Sequence, residues 1–150
     1  MKDVLFYYGW LNAFNSAVNG WDNEKVAQDL ARYDIIVLGN GLQDSGHGDY
    51  ANTVDIIGRL QALRPDTSIF GYVSSNQSES SFVSKARDWD DLCVDGIFMD
   101  ESGYDFGLSR PNLNGLIDIV HGLSCATRCF VNAWNPNHVL GIEELSLIHI

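Results

Sequence analysis

Five short apolar runs recur along the chain at nearly even spacing: Val4-Leu5-Phe6-Tyr7-Tyr8, Ile35-Ile36-Val37-Leu38, Ser68-Ile69-Phe70-Gly71-Tyr72-Val73, Gly96-Ile97-Phe98-Met99 and Cys129-Phe130-Val131-Asn132. Their starts at 4, 35, 68, 96 and 129 lie 31, 33, 28 and 33 residues apart. A period of about 30 residues is the length of one strand plus the helix that carries the chain back to a parallel neighbour. The runs are β-branched and aromatic and lack polar/apolar alternation, as strands do when both faces are covered. Between them the spacing turns helical. Asp22 is placed to cap a helix running to about Tyr33, and Asp49 a second that reaches Arg64 before Pro65. Val54, Ile57 and Leu60 mark the apolar stripe of that second helix. A third helix is predicted over about Ser80 to Leu92 and a fourth over about Pro111 to Leu123.

This alternation is α/β and admits two architectures, a (β/α)8 barrel or a doubly wound sheet. A flavodoxin-like sheet is complete with five strands and suits a chain of 150 residues. A barrel needs roughly 250 residues. The last six residues, Leu145-Ser146-Leu147-Ile148-His149-Ile150, resemble one reading frame of a transposon-end adapter used in sequencing-library preparation. Segments of that kind are excluded from fold reasoning. The expectation is therefore that residues 1–144 are the first five βα units of a truncated (β/α)8 TIM barrel and that 145–150 are a non-native tail. The alternative is a five-stranded doubly wound flavodoxin-like sheet.

Composition narrows the partners. Nine basic against 20 acidic residues give a net charge of −11. Phosphate recognition needs clustered Lys and Arg, so a nucleic-acid partner is not expected. No apolar run of about 18 residues is present to span a membrane. No GxxxxGK[ST] or GxGxxG loop follows the first strand, and Gly39-Asn40-Gly41 is too short to stand for one. No cofactor and no metal are expected. Cys93, Cys125 and Cys129 are odd in number and lack CxxC spacing, so they read as small buried hydrophobes. Met1-Lys2-Asp3 runs directly into a strand without the features of a signal peptide.

Both α/β architectures place ligands at the C-terminal ends of their strands, and those ends are rich in chemistry. Tyr8 and Trp10 follow the first strand; Asn40, Asp44 and His47 the second; Asn76 the third; Asp100, Glu101, Tyr104 and Asp105 the fourth; Asn132 and Trp134 the fifth. Amides suit sugar hydroxyls, which both donate and accept, and aromatic rings offer flat platforms to sugar faces. Trp10 and Trp134 follow strands and suit stacking, whereas Trp21 and Trp89 fall on predicted helices and read as core. His121 and His138 fall on or near helices and do not pair with His47 by spacing. Ser74-Ser75 lacks the GxSxG elbow of serine hydrolases.

Asp100-Glu101 is the sharpest local feature. Two adjacent carboxylates have no structural purpose at the end of a buried strand, and glycoside hydrolysis uses two carboxyl groups about 5–9.5 Å apart, on opposite sides of the bond, so adjacent residues are poorly placed to fill both roles. Strand alternation sends adjacent side chains to opposite faces, so only one of the pair is expected in the cleft. Asp44, Asp105 or a residue beyond this stretch remains open as the second carboxylate.

Val94-Asp95-Gly96-Ile97-Phe98-Met99-Asp100-Glu101 resembles the "VDGIFxDE" segment of the spherulation-specific family 4 proteins. The Asp that closes the strand also resembles the "DGxxxD" pattern of the endo-α-1,4-polygalactosaminidase proteins. Glu101 through Gly107 and Phe130 through Pro136 are similar to barrel domains of bacterial and bacteriophage tail or surface proteins. The likeness covers most of residues 4–140 and is strongest over 94–136. The resemblance implies a glycoside-hydrolase-like (β/α)8 barrel that acts on a polysaccharide, with Asp100 shared by the broader set and Glu101 by the narrower. It implies an extracellular or virion-associated place within a larger tail or surface assembly. Its non-catalytic variant is a carbohydrate-binding barrel in the same setting.

Overall fold

The computed structural model describes residues 1–140, so the predicted tail at 145–150 lies outside the described residues, as do residues 141–144. The five strands form one parallel sheet in the order β1-β2-β3-β4-β5, counted along the chain and alternating with helices. Two compact units divide the chain between Gly71 and Tyr72, inside the third strand.

The first unit contains β1 (Val4–Tyr7), a 3-10 turn at Leu11–Ala13, α1 (Ser16–Asn19), α2 (Asn23–Leu30), β2 (Ile35–Leu38), α3 (Tyr50–Leu63) and the start of β3 (Ser68–Ser74). Phe6 sits in register with Val37, and Val37 with Phe70. As predicted, Asp22 caps α2, its carboxylate accepting the Glu24 and Lys25 N–H groups. The core is Val26, Ala27 and Leu30 of α2 with Ile56, Ile57 and Leu60 of α3, beside Ile36, Leu38 and Ile69. Val54 is not part of it and lies 42% exposed. The buried stripe is Thr53, Ile56, Ile57 and Leu60, spaced i, i+3, i+4, i+7, and Val54 lies about 100° around the helix from Thr53. Arg64 closes the unit, donating to the carbonyls of Ala31 and Tyr33 and to the Asp34 carboxylate.

The strand reading needs one correction. β1 alternates in burial, with Val4, Phe6 and Tyr8 exposed by 43–60%. An edge strand has a neighbour on only one side, so its side chains are packed from that side alone.

The second unit contains the rest of β3, α4 (Glu79–Asp91), β4 (Gly96–Ser102), a 3-10 turn at Tyr104–Phe106, α5 (Arg110–His121), β5 (Arg128–Ala133) and α6 (Asn137–Leu140). Phe82, Ala86 and Trp89 of α4 and Leu113, Ile117 and Val120 of α5 are buried, as are Ile97 and Met99 of β4. The Trp89 indole, predicted as core, donates to the Tyr72 carbonyl at 3.0 Å. On the sheet, Tyr72, Phe98 and Phe130 form a row of rings with centroids 5.9 and 5.2 Å apart.

Cys93 and Cys125 form a disulfide, which overturns their reading as isolated hydrophobes; Cys129 is free and buried. The cross-link joins the turn before β4 to the turn before β5. Its 32-residue separation is one βα repeat, so parallel neighbours bring the two turns side by side. Asp90 fastens the same place: its carboxylate accepts the N–H groups of Ser124, Cys125 and Ala126 at 2.6–3.1 Å.

Candidate functional site

Each unit gathers its own group of strand-end side chains. In the first, Trp10 is half exposed and meets the His47 ring edge-on, with centroids 5.5 Å apart. Gly48 makes room for it, because a Cβ there would come 3.1 Å from the indole Cη2. The backbone N–H of Asp49 donates to His47 Nδ1 at 3.1 Å, so the neutral imidazole carries its proton on Nε2. Asn40 is exposed at the end of β2, and Tyr8 is 60% exposed beyond β1. Gly39 between them in space is a close approach: a Cβ there would meet Tyr8 Cα at 2.7 Å. Asp44 is exposed and accepts the Gly46 N–H at 2.8 Å, shaping its own loop.

Asp49 does not cap α3 with its side chain as predicted. Its buried carboxylate instead accepts the Asn12 N–H and the Asn52 side-chain amide. Asn12 also donates to Asn23, which donates to Asn52 and Asp55, so the loop carrying Trp10 is tied to the starts of α2 and α3. Burial, and then the nearby Asp49 charge, push the Tyr7 phenol above its ordinary pKa. Trp21 is a second correction: it is 59% exposed at φ +61, because α2 begins only at Asn23.

In the second unit, Asp100 and Glu101 are both half-buried and leave the strand toward different neighbours. Asn132 of β5 donates its amide to Asp100 Oδ1 at 2.8 Å. Ser74 of β3 donates its hydroxyl to Glu101 Oε2. The regular ladder of the strand is interrupted here. The ladder runs Met99 with Val131 and then Ser102 with Ala133, three steps on β4 against two on β5, which is a β-bulge. Glu101 takes φ +55 within it. Asn76 is exposed, and its N–H donates to Ser74 Oγ at 3.1 Å.

Beyond the bulge, Tyr104 is 51% exposed and meets the His138 ring edge-on at 5.1 Å. Asp105 Oδ2 lies 3.4 Å from His138 Nδ1, an ion pair whenever the imidazole is protonated. Trp134, 82% exposed, leans on Phe106 at 6.2 Å. His138 does not pair with His47 by sequence spacing, yet it joins this group. Its place follows from α6, the short helix after β5, held by buried Arg110 donating to the carbonyls of His138 and Asn137. The signal that could have found it is its nearness to the end of the fifth strand.

Among the described residues, no three His, Cys, Asp or Glu side chains are grouped to hold a metal ion. An open groove of about 490 Å³ lies at the other end of this unit, lined by Arg87, Asp91, Asp118 and Leu123. The strand-end carboxylates are not part of its lining. No family model, no curated protein and no solved structure matches this chain.

Proposed function

We propose that this chain is a carbohydrate-acting domain of the (β/α)8 type, a glycoside hydrolase that works on a polysaccharide through Asp100 and Glu101. One observation carries the reading. The two carboxylates at the end of β4 are held by neutral donors, Asn132 and Ser74, and no cation forms an ion pair with either among the described residues. On the segments that follow β4 and β5, the rings of Tyr104 and Trp134 are exposed. Carboxylates that serve only stability are ordinarily paired or capping. Uncompensated ones on strand ends that also carry exposed aromatic rings suit a ligand that is rich in hydroxyls and has apolar faces.

In the proposed chemistry, one carboxyl group donates a proton to the leaving glycosidic oxygen. A second carboxylate attacks the anomeric carbon or takes a proton from the attacking water. Asp100 and Glu101 are the two candidates for the essential carboxyl group, Asp100 shared by the broader of the resembling sets and Glu101 by the narrower. Asn76, Asn132 and Asp105 would hold hydroxyls, and Tyr104 and Trp134 would stack. Tyr8, Trp10, Asn40, Asp44 and His47 would serve in the same way at the strand ends of the first unit.

The barrel assignment rests on strand order. A flavodoxin-like sheet runs 2-1-3-4-5, with its first strand inside. Here the order follows the chain and β1 is an edge, which supports consecutive units of a barrel. The disulfide supports an oxidising, extracytoplasmic setting, in keeping with the proposed tail or surface assembly.

A second reading, a carbohydrate-binding barrel without catalysis, is favoured by the hydrogen bond that each carboxylate already accepts. The test is a panel of soluble polysaccharides assayed for retardation in affinity gels and for released reducing ends. Hydrolysis abolished by Asp100→Asn or Glu101→Gln supports the enzyme. Retardation without reducing ends, kept in the double variant, supports the binding module. Neither retardation nor hydrolysis across the panel refutes both.

A further inference from the structure

We infer that Ser75 and Ser102 are positioning residues that hold Glu101 in its left-handed conformation, a strain kept for ligand contact rather than for folding. The inference rests on the carbohydrate reading for its ligand and on the backbone for its mechanism.

The starting point is what an ordinary strand would do. Without an extra residue, Asp100 and Glu101 would point to opposite faces, one of them into the helical layer. The bulge between Met99 and Ser102 removes that constraint. It does so by placing a residue with a Cβ at φ +55, where the side chain crowds the backbone carbonyl. Such a conformation persists only where the surroundings over-determine it.

The surroundings that do so are two serines. Ser75 and Ser102 are each 1% exposed, and their hydroxyls lie 3.1 Å apart. The Ser102 hydroxyl also donates to the Met99 carbonyl at 3.1 Å, turning the chain back across the bulge. The Ser75 N–H donates to the Asp100 carbonyl at 2.8 Å, fixing the next peptide, the one that leads into Glu101. Gly103 completes the turn at φ +115, where a Cβ would press within 3.0 Å of His138 Cβ. Both hydroxyls are buried and satisfied by one another and by the backbone, so removing either loosens the bulge without touching a ligand-facing atom.

A double-mutant cycle on the folded protein tests this. Glycine accepts φ +55 without strain, so Glu101→Gly should raise the thermal midpoint by about 3 °C while abolishing retardation by the polysaccharide that wild type binds. Ser102→Ala should let the bulge relax, so in that background the Glu101→Gly gain should vanish. Serines that do not bear on the Glu101 conformation predict that the two changes add. A Glu101→Gly midpoint at or below wild type overturns the inference, as does an equal gain in both backgrounds. If Ser102→Ala does not fold, Ser75→Ala removes the other hydroxyl of the pair and is read in the same way. A wild type that binds no member of the panel overturns the ligand half of the inference together with the carbohydrate reading. The cycle then still decides what the serines do.

Discussion

Asn132 on β5 donates its side-chain amide to Asp100 on β4 at 2.8 Å, across the C-terminal ends of two parallel strands. The bond joins an exposed residue to a half-buried one, so it adds little to stability. What it does is orient a carboxylate. Asn132→Ala should change the unfolding free energy by less than about 1 kcal/mol. On the proposed carbohydrate reading, it should weaken gel retardation by a polysaccharide roughly tenfold, the loss of about 1.4 kcal/mol that one charge-assisted contact represents. Unchanged retardation would remove Asn132 from the site.

The Cys93–Cys125 disulfide closes a loop of one βα repeat, 32 residues. Loop-closure entropy alone gives such a cross-link roughly 3–4 kcal/mol. Urea melts with and without reductant should differ by about that amount, and a Cys93→Ser/Cys125→Ser variant should match the reduced protein. Cys129 should stay unreactive toward a thiol reagent in the native state, since burial pushes its thiol up to about 12.

Asp90 carries a pH signature. Burial works to raise its pKa, but the N–H groups of Ala126, Cys125 and Ser124 outweigh it and hold the carboxyl below the ordinary carboxylate value. A depressed folded pKa means stability that is fully present above the unfolded value, near 3.9, and lost as pH falls through the folded one. Wild type should therefore lose stability on the acid side below about pH 4. Asp90→Asn should be less stable at pH 7, by roughly 2 kcal/mol, and should show a shallower acid limb. Urea midpoints from pH 7 to pH 3 measure both.

Gly39 and Gly48 predict opposite outcomes for the same substitution. At Gly39 the added methyl would meet the Tyr8 backbone at 2.7 Å, and main chain one residue past a paired strand has little room to step aside. Gly39→Ala should cost roughly 2–3 kcal/mol. At Gly48 it would meet only the exposed indole of Trp10 at 3.1 Å. Gly48→Ala should leave the midpoint within about 0.5 kcal/mol and shift the tryptophan emission as the ring is displaced from His47.

Much of this fold was legible in local pattern. Strand and helix positions, the Asp22 cap and the burial of Trp89 follow from which residues neighbour one another along the chain, because hydrophobic period and end-capping are short-range effects. Two expectations fail for different reasons, one through a contact distant in sequence and one through the angle of a residue around its helix. Asp49 gave up its capping role to bind Asn12 and Asn52, and Val54 lost the core to Thr53 by its angle around the helix.

The candidate site divides along the same line. That acids, amides and aromatic rings crowd the strand ends is written in the order of residues, since a βα repeat puts every such end on one side of the sheet. Which of them meet is not. The pairing of Asp105 with His138, the disulfide between equivalent turns and the separate exits of Asp100 and Glu101 depend on neighbouring strands lying in register, and on a single extra residue in β4. No local preference encodes that residue's left-handed turn; packing around two buried hydroxyls imposes it.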